Sequence, residues 1–268
     1  MDELGQHQRQ ATAARIYDYL LRGTHNFPAD REVAQMVIAS FPTGQAGIRA
    51  NRAFLRRAVR YLAESGVRQF LDVGSGIPTV GNVHEIAQAI APDSRVLYVD
   101  IDPVAVAESL DILAGNPHAT AINANLLEPE ALLAHPEVRA LLDWDQPIAL
   151  LIVAVLHFVA DDDAAFGSVE RLRSALPKGS YLVLSHVTSE GQDLDAGDVR
   201  NVEEAYRRRA AASGKMRSKS EIAQFFDGLE LVDPGLVWVP EWRPDPAEAS
   251  EFDDPRLSMG LGGVGRVL

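Results

Sequence analysis

The 268-residue sequence contains no cysteine, and this absence excludes several kinds of site. Without thiols the chain cannot form a disulfide framework, a thiolate nucleophile or a cysteine-ligated metal centre. The acidic triplet at positions 161–163 has no partner histidines at metal-ligand spacing. It precedes a helical pattern, where negative charge suits the helix N-terminus. We therefore expect neither a metal site nor disulfides.

Long hydrophobic runs and an excess of basic charge are missing too. The longest apolar run, residues 148–160, is interrupted by His157 and is too short to span a bilayer. No segment reads as a signal peptide, so we predict a cytoplasmic protein. The net charge of −13 repels phosphate backbones and anionic lipid, so neither nucleic acid nor a membrane is expected as a partner. The basic run Tyr206–Lys219 is expected to be mainly a solvated helix face.

The sequence contains two regions that differ in the spacing of their apolar residues. Over residues 1–65 the apolar positions recur at helical spacing, which predicts a helical N-terminal extension packed on the rest of the chain. From residue 66 to 268, helical patterns alternate with short apolar runs such as "QFLDV", "RVLYVD", "ATAIN", "IALLIVAV" and "SYLVLSHV". Strands separated by helices imply βαβ units. We therefore predict an α/β fold with a Rossmann-like, doubly wound, mostly parallel sheet.

A glycine turn, "DVGSGIPT", follows the first predicted strand. In such sheets ligands bind beyond the carboxyl ends of the strands. Gly74 and Gly76 lack Cβ atoms, so the backbone there can turn sharply and approach a ligand closely. A dinucleotide fingerprint requires a third glycine where this chain has Thr79. The turn, with Asp72 and Ser75 as further candidate contacts, therefore indicates a nucleoside without phosphates, of which S-adenosyl-L-methionine is the commonest example.

The end of the second predicted strand, "VLYVDIDP", offers two aspartates with different expected roles. Asp102 precedes Pro103, and this pair is typical of a helix N-cap followed by the first helical residue. Asp100 is left to bond ribose hydroxyls. Ile101 would present an apolar side chain to an adenine face. The second strand therefore supports a nucleoside site beside the glycine turn.

Several motifs resemble those of class I S-adenosyl-L-methionine-dependent methyltransferases: "FLDVGSGIP", "VLYVDIDP", "INANLLEPE", "LLIVAVLHFV" and "LPKGSYLVLSHV". The flanking stretches resemble a narrower bacterial family of such enzymes with an unassigned substrate: "ARIYDYLLRGTHNFPADRE", "NRAFLRRAVRYL", "FFDGLELVDPGLVWVPEWRPD" and "GGVGRV". The resemblance implies a seven-stranded sheet with an antiparallel last strand, S-adenosyl-L-methionine as cofactor and S-adenosyl-L-homocysteine as product. It also implies that Asn125 and Leu126 contact adenine, although Asn125 replaces the usual acid by an uncharged acceptor.

Candidate catalytic residues come from two regions. His157 follows the fourth predicted strand, where it is either a general base or a half-buried structural histidine. The N-terminal "YDYLLRGTHNF" is predicted to be a lid over the sulfonium, with Tyr17 and His25 in catalytic roles and Asn26 as a cofactor contact. The alternative is a packing arm. Arg52 is predicted to pair with the cofactor carboxylate, with a surface ion pair as its alternative.

The predicted function is direct methyl transfer from S-adenosyl-L-methionine to an unidentified small-molecule acceptor. Two alternatives stay open. A non-catalytic S-adenosylmethionine-binding sensor or interaction protein would keep the pocket without the chemistry. An NAD-dependent oxidoreductase would share the fold, but the chain lacks both the third glycine and an evident Tyr-x-x-x-Lys pair.

Overall fold

The structure, a computed structural model, describes residues 10–41, 43–78, 81–191, 214–246 and 250–268. Thr79 and positions 206–213 of the basic run lie outside these residues. The described part of the chain contains an eight-stranded sheet. Its strands are β1 Gln69–Val73, β2 Arg95–Asp100, β3 Ala119–Asn123, β4 Ala149–Val153, β5 Tyr181–Val187, β6 Glu230–Leu231, β7 Val237–Trp238 and β8 Gly260–Arg266.

The sheet has the predicted mixed topology. Its strand order is β3-β2-β1-β4-β5-β8-β6, and the first five strands pair in parallel. Strand β8 runs antiparallel to β5, and the two-residue strands β6 and β7 both pair with β8. The predicted antiparallel last strand is confirmed; seven strands lie on this path, and the short β7 is added to the expected seven-stranded pattern. Strand order reverses beside β1, so the crevice for a ligand lies where β1 and β4 end.

Helices flank the sheet and precede it. They are α1 Ala13–Leu20, α2 Pro28–Ser40, α3 Gly44–Glu64, α4 Val83–Ile90, α5 Pro103–Ile112, α6 Pro129–Ala134, α7 Pro136–Leu141, α8 Asp162–Ser174 and α9 Lys219–Gln224. Short polar side chains begin several of them. The side chain of Asp102 accepts a hydrogen bond from the backbone N–H of Val104, so Asp102 is the N-cap of α5, as predicted. Asp161 caps α8 in the same way.

Alternating strand residues form two cores on opposite faces of the sheet. One core packs strand residues against α8 and α9, and includes Leu71, Leu97, Leu150, Leu182, Val169 and Ile222. The other packs strand residues against α3 and α4, and includes Phe70, Val96, Leu151, Phe54, Ala58 and Val83. Helices α1 and α2 form a third apolar cluster with Met259. None of the described helices is long and apolar enough to cross a membrane.

Candidate active site

A cavity of about 550 Å³ lies at the carboxyl ends of β1 to β4. Residues 10–14 and Tyr17, from the start of the N-terminal helical region, form part of its wall. The predicted cofactor contacts that line it are Arg52, Asp72, Gly74, Ser75, Gly76, Asp100, Ile101, Asn125 and Leu126. Motifs from distant parts of the sequence therefore meet at the edge where the topology places a ligand.

The glycine turn is sterically constrained at its first glycine. Gly74 has φ +74° and Gly76 has φ +62°, both in the left-handed region that disfavours a side chain. The backbone N–H of Gly74 donates to the carbonyl of Val99 at 2.7 Å, which ties the turn to β2. A Cβ on Gly74 would lie 2.3 Å from a methyl carbon of Val155. Only glycine therefore fits between β1 and the segment after β4.

The carboxylate of Asp100 joins the two strand-end turns. Its Oδ2 accepts the N–H of Gly76 at 2.8 Å, and its Oδ1 accepts the N–H of Asp102 at 2.9 Å. Burial raises the pKa of Asp100, and these two backbone hydrogen bonds oppose that rise. Each carboxylate oxygen keeps further acceptor capacity, because an ionised carboxylate offers about four lone-pair sites. Asp100 thus holds the turn together and can still accept hydroxyl groups from a ligand.

Asp72 is a buried carboxyl on the wall of the same cavity. Burial raises the pKa of Asp72 to about 7, while the charge of Arg52 lowers it and that of Asp100 raises it further. Among the described residues, no side chain or backbone group donates a hydrogen bond to this carboxyl. A cationic ligand group at this position would favour the ionised form.

The residues predicted to contact adenine line the larger cavity. Ile101 is 66% exposed, although it is a large apolar residue. Asn125 also lines the cavity, but its side-chain oxygen already accepts the N–H of Leu127 at 2.9 Å. These candidates therefore combine an exposed apolar face with an amide that the protein itself holds in place.

Arg52, predicted to pair with the cofactor carboxylate, lines the same cavity. It donates to the side-chain oxygen of Asn82 at 3.0 Å.

A second cavity, of about 170 Å³, adjoins the first. The two cavities share Ala13, Tyr17, Asn51, Ala154 and Phe158. The second cavity is lined mainly by apolar side chains, among them Leu20, Val37, Phe41, Ile48, Val187, Met216 and Met259. Its polar side chains include His157, His186, Ser185 and Lys215.

A buried hydrogen-bond chain forms the boundary between the two cavities. The side-chain amide of Asn51 donates to the hydroxyl of Tyr17 at 3.0 Å, and the hydroxyl of Ser185 donates to the Asn51 oxygen at 2.5 Å. The Ser185 hydroxyl accepts the N–H of Ala154 at 3.0 Å. Ala154 has φ +57°, a strained conformation for a residue with a side chain. Burial raises the pKa of Tyr17, so its hydroxyl stays protonated.

Sequence reasoning missed Asn51 and Ser185. They come from α3 and β5, and neither position carries a local signal. Only the packing of α3 against the sheet brings the two side chains together.

His157 lines the second cavity rather than the first. Burial lowers the pKa of His157 to about 3, with contributions from His186 and Arg217, so the imidazole is neutral at physiological pH. Its Nδ1 is buried and has no hydrogen-bond partner in the described part of the chain. A neutral imidazole beside an apolar cavity can accept or donate one hydrogen bond to a bound molecule.

Arg217 fixes the segment that carries His157. It is 1% exposed, whereas the basic run containing it was expected to be mainly solvated. Its guanidinium donates to the carbonyls of Leu156 and Val159, to Asp162 and to Nε2 of His186. For Arg217 the prediction of a solvated face is wrong, because two carbonyls of the segment that follows β4 and a carboxylate replace its water.

Two predicted site residues lie away from both cavities. Nδ1 of His25 is 2.7 Å from a carboxylate oxygen of Glu108, and both side chains are about one-third exposed. The Asn26 amide donates to Asp18 at 2.8 Å and to the carbonyl of Gly23 at 2.9 Å, so it braces the turn between α1 and α2. Part of the wall of the larger cavity is formed by residues 10–14, which precede the predicted "YDYLLRGTHNF" lid. Of the candidate site residues in that lid, only Tyr17 lines this cavity.

The sheet order, the antiparallel β8 and the strand-end position of the larger cavity define a class I methyltransferase fold. The sequence identifies the family: an S-adenosyl methyltransferase family model matches residues 5–268, and the chain belongs to that family. The protein is therefore an S-adenosyl-L-methionine-dependent methyltransferase, with S-adenosyl-L-methionine as its cofactor. This confirms the family predicted from the sequence motifs. No curated protein matches the chain.

Solved structures agree with this assignment. A DUF574 family protein from Streptomyces avermitilis is 42% identical, covers 97% of this chain and 99% of its own, and superposes with a TM-score of 0.91. A protein from Thermobifida fusca described as a candidate methyltransferase is 38% identical, with coverages of 97% and 96% and a TM-score of 0.88. An O-methyltransferase family protein from Burkholderia thailandensis shares the fold alone, at 13% identity, coverages of 89% and 59%, and a TM-score of 0.53.

Proposed function

We propose that the larger cavity binds S-adenosyl-L-methionine with its nucleoside across the ends of β1, β2 and β3. Asp100 accepts the ribose hydroxyls with the lone pairs that Gly76 and Asp102 leave available. Ile101, Asn125 and Leu126 contact the adenine. A volume of about 550 Å³ lies within the range of small-molecule and cofactor sites, roughly 300 to 1,000 Å³.

The amino-acid end of the cofactor meets Asp72 and Arg52 in this proposal. The carboxyl of Asp72 is buried, lines the cavity and has a raised pKa because of that burial. A cofactor ammonium beside it would replace the water that the carboxyl lost on folding. Arg52 lies on the same wall and is placed to attract the cofactor carboxylate.

The acceptor, a small molecule, occupies the second cavity. The observation that carries this proposal is the shared boundary of the two cavities, formed in part by Tyr17, Asn51 and Ala154. When bound, S-adenosyl-L-methionine supplies a methyl group activated on its sulfonium. The protein aligns the acceptor with that group and keeps the reacting atoms dry, an effect that can reach several kcal/mol. The net charge of −13 argues against nucleic acid as the acceptor.

Two residues take chemical roles in this arrangement. The Tyr17 hydroxyl, held by Asn51, borders both cavities and orients the acceptor. His157, neutral and without a protein partner at Nδ1 in the described residues, forms a hydrogen bond with the acceptor. His25 has no part in the proposal, since it pairs with Glu108 away from both cavities.

Calorimetric titration with S-adenosyl-L-homocysteine tests the cofactor site. Asp100→Ala removes an acceptor of two backbone N–H groups and of the ribose, so we expect about a 10- to 100-fold loss of affinity, equivalent to 1.5 to 3 kcal/mol. Asp111→Ala, an exposed aspartate on α5, is the matched control and should bind normally. Chemical denaturation of each variant corrects the affinity for the folded fraction. Equal affinities for both variants would contradict the assignment of Asp100.

A further inference from the structure

The lining of the second cavity carries no uncompensated charge among the described residues. Lys215 is its charged side chain, and the Lys215 ammonium lies 2.5 Å from a carboxylate oxygen of Asp162. Arg217 binds the other oxygen of the same carboxylate at 2.9 Å. No carboxylate lines the cavity in the described part of the chain. A charged acceptor would therefore find no uncompensated counter-ion among the described lining residues.

The polar groups of this cavity are mostly committed to the protein. Nδ1 of His186 donates to the carbonyl of Val187 at 2.7 Å, and its Nε2 accepts from Arg217 at 2.9 Å. Tyr17, Asn51 and Ser185 bind one another in the boundary chain. The His157 ring is the polar group with an unpartnered buried nitrogen among the described lining residues. Among the described residues, the cavity therefore presents the His157 ring to a ligand in otherwise apolar surroundings, beside a Tyr17 hydroxyl that accepts from Asn51 and lies 3.4 Å from the carbonyl of Ile48.

Desolvation in this cavity acts against cations. Burial lowers the pKa of His157 to about 3 and that of His186 to about 4, which means that both rings stay neutral. The same loss of water would penalise an ammonium or a carboxylate on a bound molecule. The volume of about 170 Å³ is close to that of an apolar cavity of roughly 150 Å³ that accepts one benzene molecule.

We propose that the acceptor is an uncharged, single-ring molecule bearing a hydroxyl group, with its ring among the apolar side chains and its hydroxyl at the boundary with the larger cavity. This inference rests on the proposed function. In the transfer, the hydroxyl oxygen bonds to the methyl carbon as the carbon–sulfur bond breaks, and that bond's electron pair stays on sulfur. The hydroxyl, hydrogen-bonded to the neutral His157 imidazole, releases its proton to solvent. The products are a methyl ether, S-adenosyl-L-homocysteine and one proton.

Three probes of the same ring size but different charge test the proposal: phenol, benzoate and benzylamine. Each is titrated into protein saturated with S-adenosyl-L-homocysteine at pH 7.5 and followed by ligand-observed NMR. We expect phenol to bind at least tenfold more tightly than the other two, and mass spectrometry with S-adenosyl-L-methionine to detect anisole. Tighter binding of benzoate or benzylamine, or no phenol binding by protein that does bind S-adenosyl-L-homocysteine, would overturn the proposal. Failure to bind S-adenosyl-L-homocysteine would instead overturn the proposed function.

A substitution that fills the second cavity tests whether phenol binds there. Val37→Phe adds a ring to the wall of this cavity and leaves the lining of the larger cavity unchanged. We expect at least a tenfold loss of phenol affinity with S-adenosyl-L-homocysteine affinity unchanged, and Ile48→Phe provides the same test if Val37→Phe fails to fold. Leu110→Phe, at a 45% exposed position on α5, is the size-matched control. Unchanged phenol affinity in a folded, cavity-filled variant would show that phenol binds elsewhere and overturn the proposal.

Discussion

The Asp102 carboxylate accepts a hydrogen bond from the Thr12 hydroxyl at 2.6 Å, and so connects the end of β2 to the N-terminal region. The same carboxylate caps α5 and lies 3.7 Å from the Arg15 guanidinium. Arg15 in turn binds Asp30 in the first turn of α2. The N-terminal region, which forms part of the wall of the larger cavity, is therefore bonded to the strand end that we assign to the nucleoside.

Asp102→Ala should lower the free energy of unfolding by about 2 kcal/mol, because it removes both the N-cap and the bond to Thr12. Asp102→Asn keeps a good N-capping side chain and should lose no more than about 1 kcal/mol. Urea denaturation of both variants measures the difference. If Asp102→Asn is as stable as the parent protein, the bond to Thr12 contributes nothing beyond the cap, and if the two variants are equally stable, the cap contributes nothing.

The bond between Asp102 and Thr12 also predicts how the N-terminal region responds to cofactor. If residues 10–27 form a lid, limited proteolysis near Gly23 should be slower with saturating S-adenosyl-L-homocysteine, because the ligand stabilises the closed form. Asp102→Ala should be cut faster than the parent protein without ligand. Cleavage rates that are equal with and without ligand would identify the segment as a packing arm.

Gly74 allows a separate test of the glycine turn. Gly74→Ala places a methyl group against Val155 at a positive φ, so it should destabilise the protein by more than the roughly 1 to 2 kcal/mol of the conformation alone. Gly66→Ala is the matched control, since Gly66 has φ +96° and no atom within 4 Å of the added Cβ. Val155→Ala should rescue Gly74→Ala in part, and thermal unfolding of the double variant measures the rescue. No rescue would mean that the φ strain, rather than the contact, dominates.

Local sequence patterns were sufficient where the structure depends on neighbouring residues. The alternation of strands and helices predicted the parallel sheet, and the Asp-Pro pair predicted the α5 cap. The glycine spacing predicted a sharp backbone turn, and Gly74 and Gly76 both have positive φ. In each of these cases the backbone of a few consecutive residues decides the conformation.

The remaining features depend on contacts that no local pattern encodes. Ser185 and Asn51 meet only after α3 packs on the sheet. In the sequence Arg217 is one more cation in a basic run, whereas in the structure a carboxylate and the carbonyls of Leu156 and Val159 surround it. Burial likewise decides the protonation of His157 and Asp72, and sequence gives no direct measure of that burial.

Two histidines with lowered pKa values, His157 and His186, predict loss of stability in acid. Their pKa values in the folded state, about 3 for His157 and about 4 for His186, lie below the unfolded value of 6.5. Their contribution to stability is present above about pH 6.5 and is lost as the pH falls toward these values, because the unfolded chain then binds more protons. At pH 5, His157→Phe should reduce the slope of unfolding free energy against pH by about 1.4 kcal/mol per pH unit. The slopes should coincide at pH 8, and a slope unchanged at pH 5 would contradict the lowered pKa.

The titration of Asp72 changes the stability in the opposite direction, since the free energy of unfolding falls as the pH rises. Its folded-state pKa of about 7 lies above the ordinary value of 3.8, so its contribution to stability is present below about pH 4 and is lost as the pH rises through 7. Relative to the parent protein, Asp72→Asn should gain stability over that range, by up to about 4 kcal/mol, and then level off above pH 8. Urea denaturation at several pH values measures this gain. A constant difference from pH 4 to 8 would contradict the raised pKa.

The titration of Asp72 should also make the affinity for cofactor depend on pH. An ammonium group beside Asp72 favours the ionised carboxyl, so below pH 7 binding must first remove a proton and the affinity for S-adenosyl-L-homocysteine should fall as the pH is lowered from 8 to 6. Binding near pH 7 should release a proton, which calorimetry detects as a dependence of the measured enthalpy on the ionisation enthalpy of the buffer. Asp72→Asn cannot titrate, so its affinity should be about 10- to 100-fold weaker at pH 8 and nearly constant between pH 6 and 8. If the variant and the parent protein show the same pH dependence, another group is responsible, and the cofactor ammonium does not lie beside Asp72.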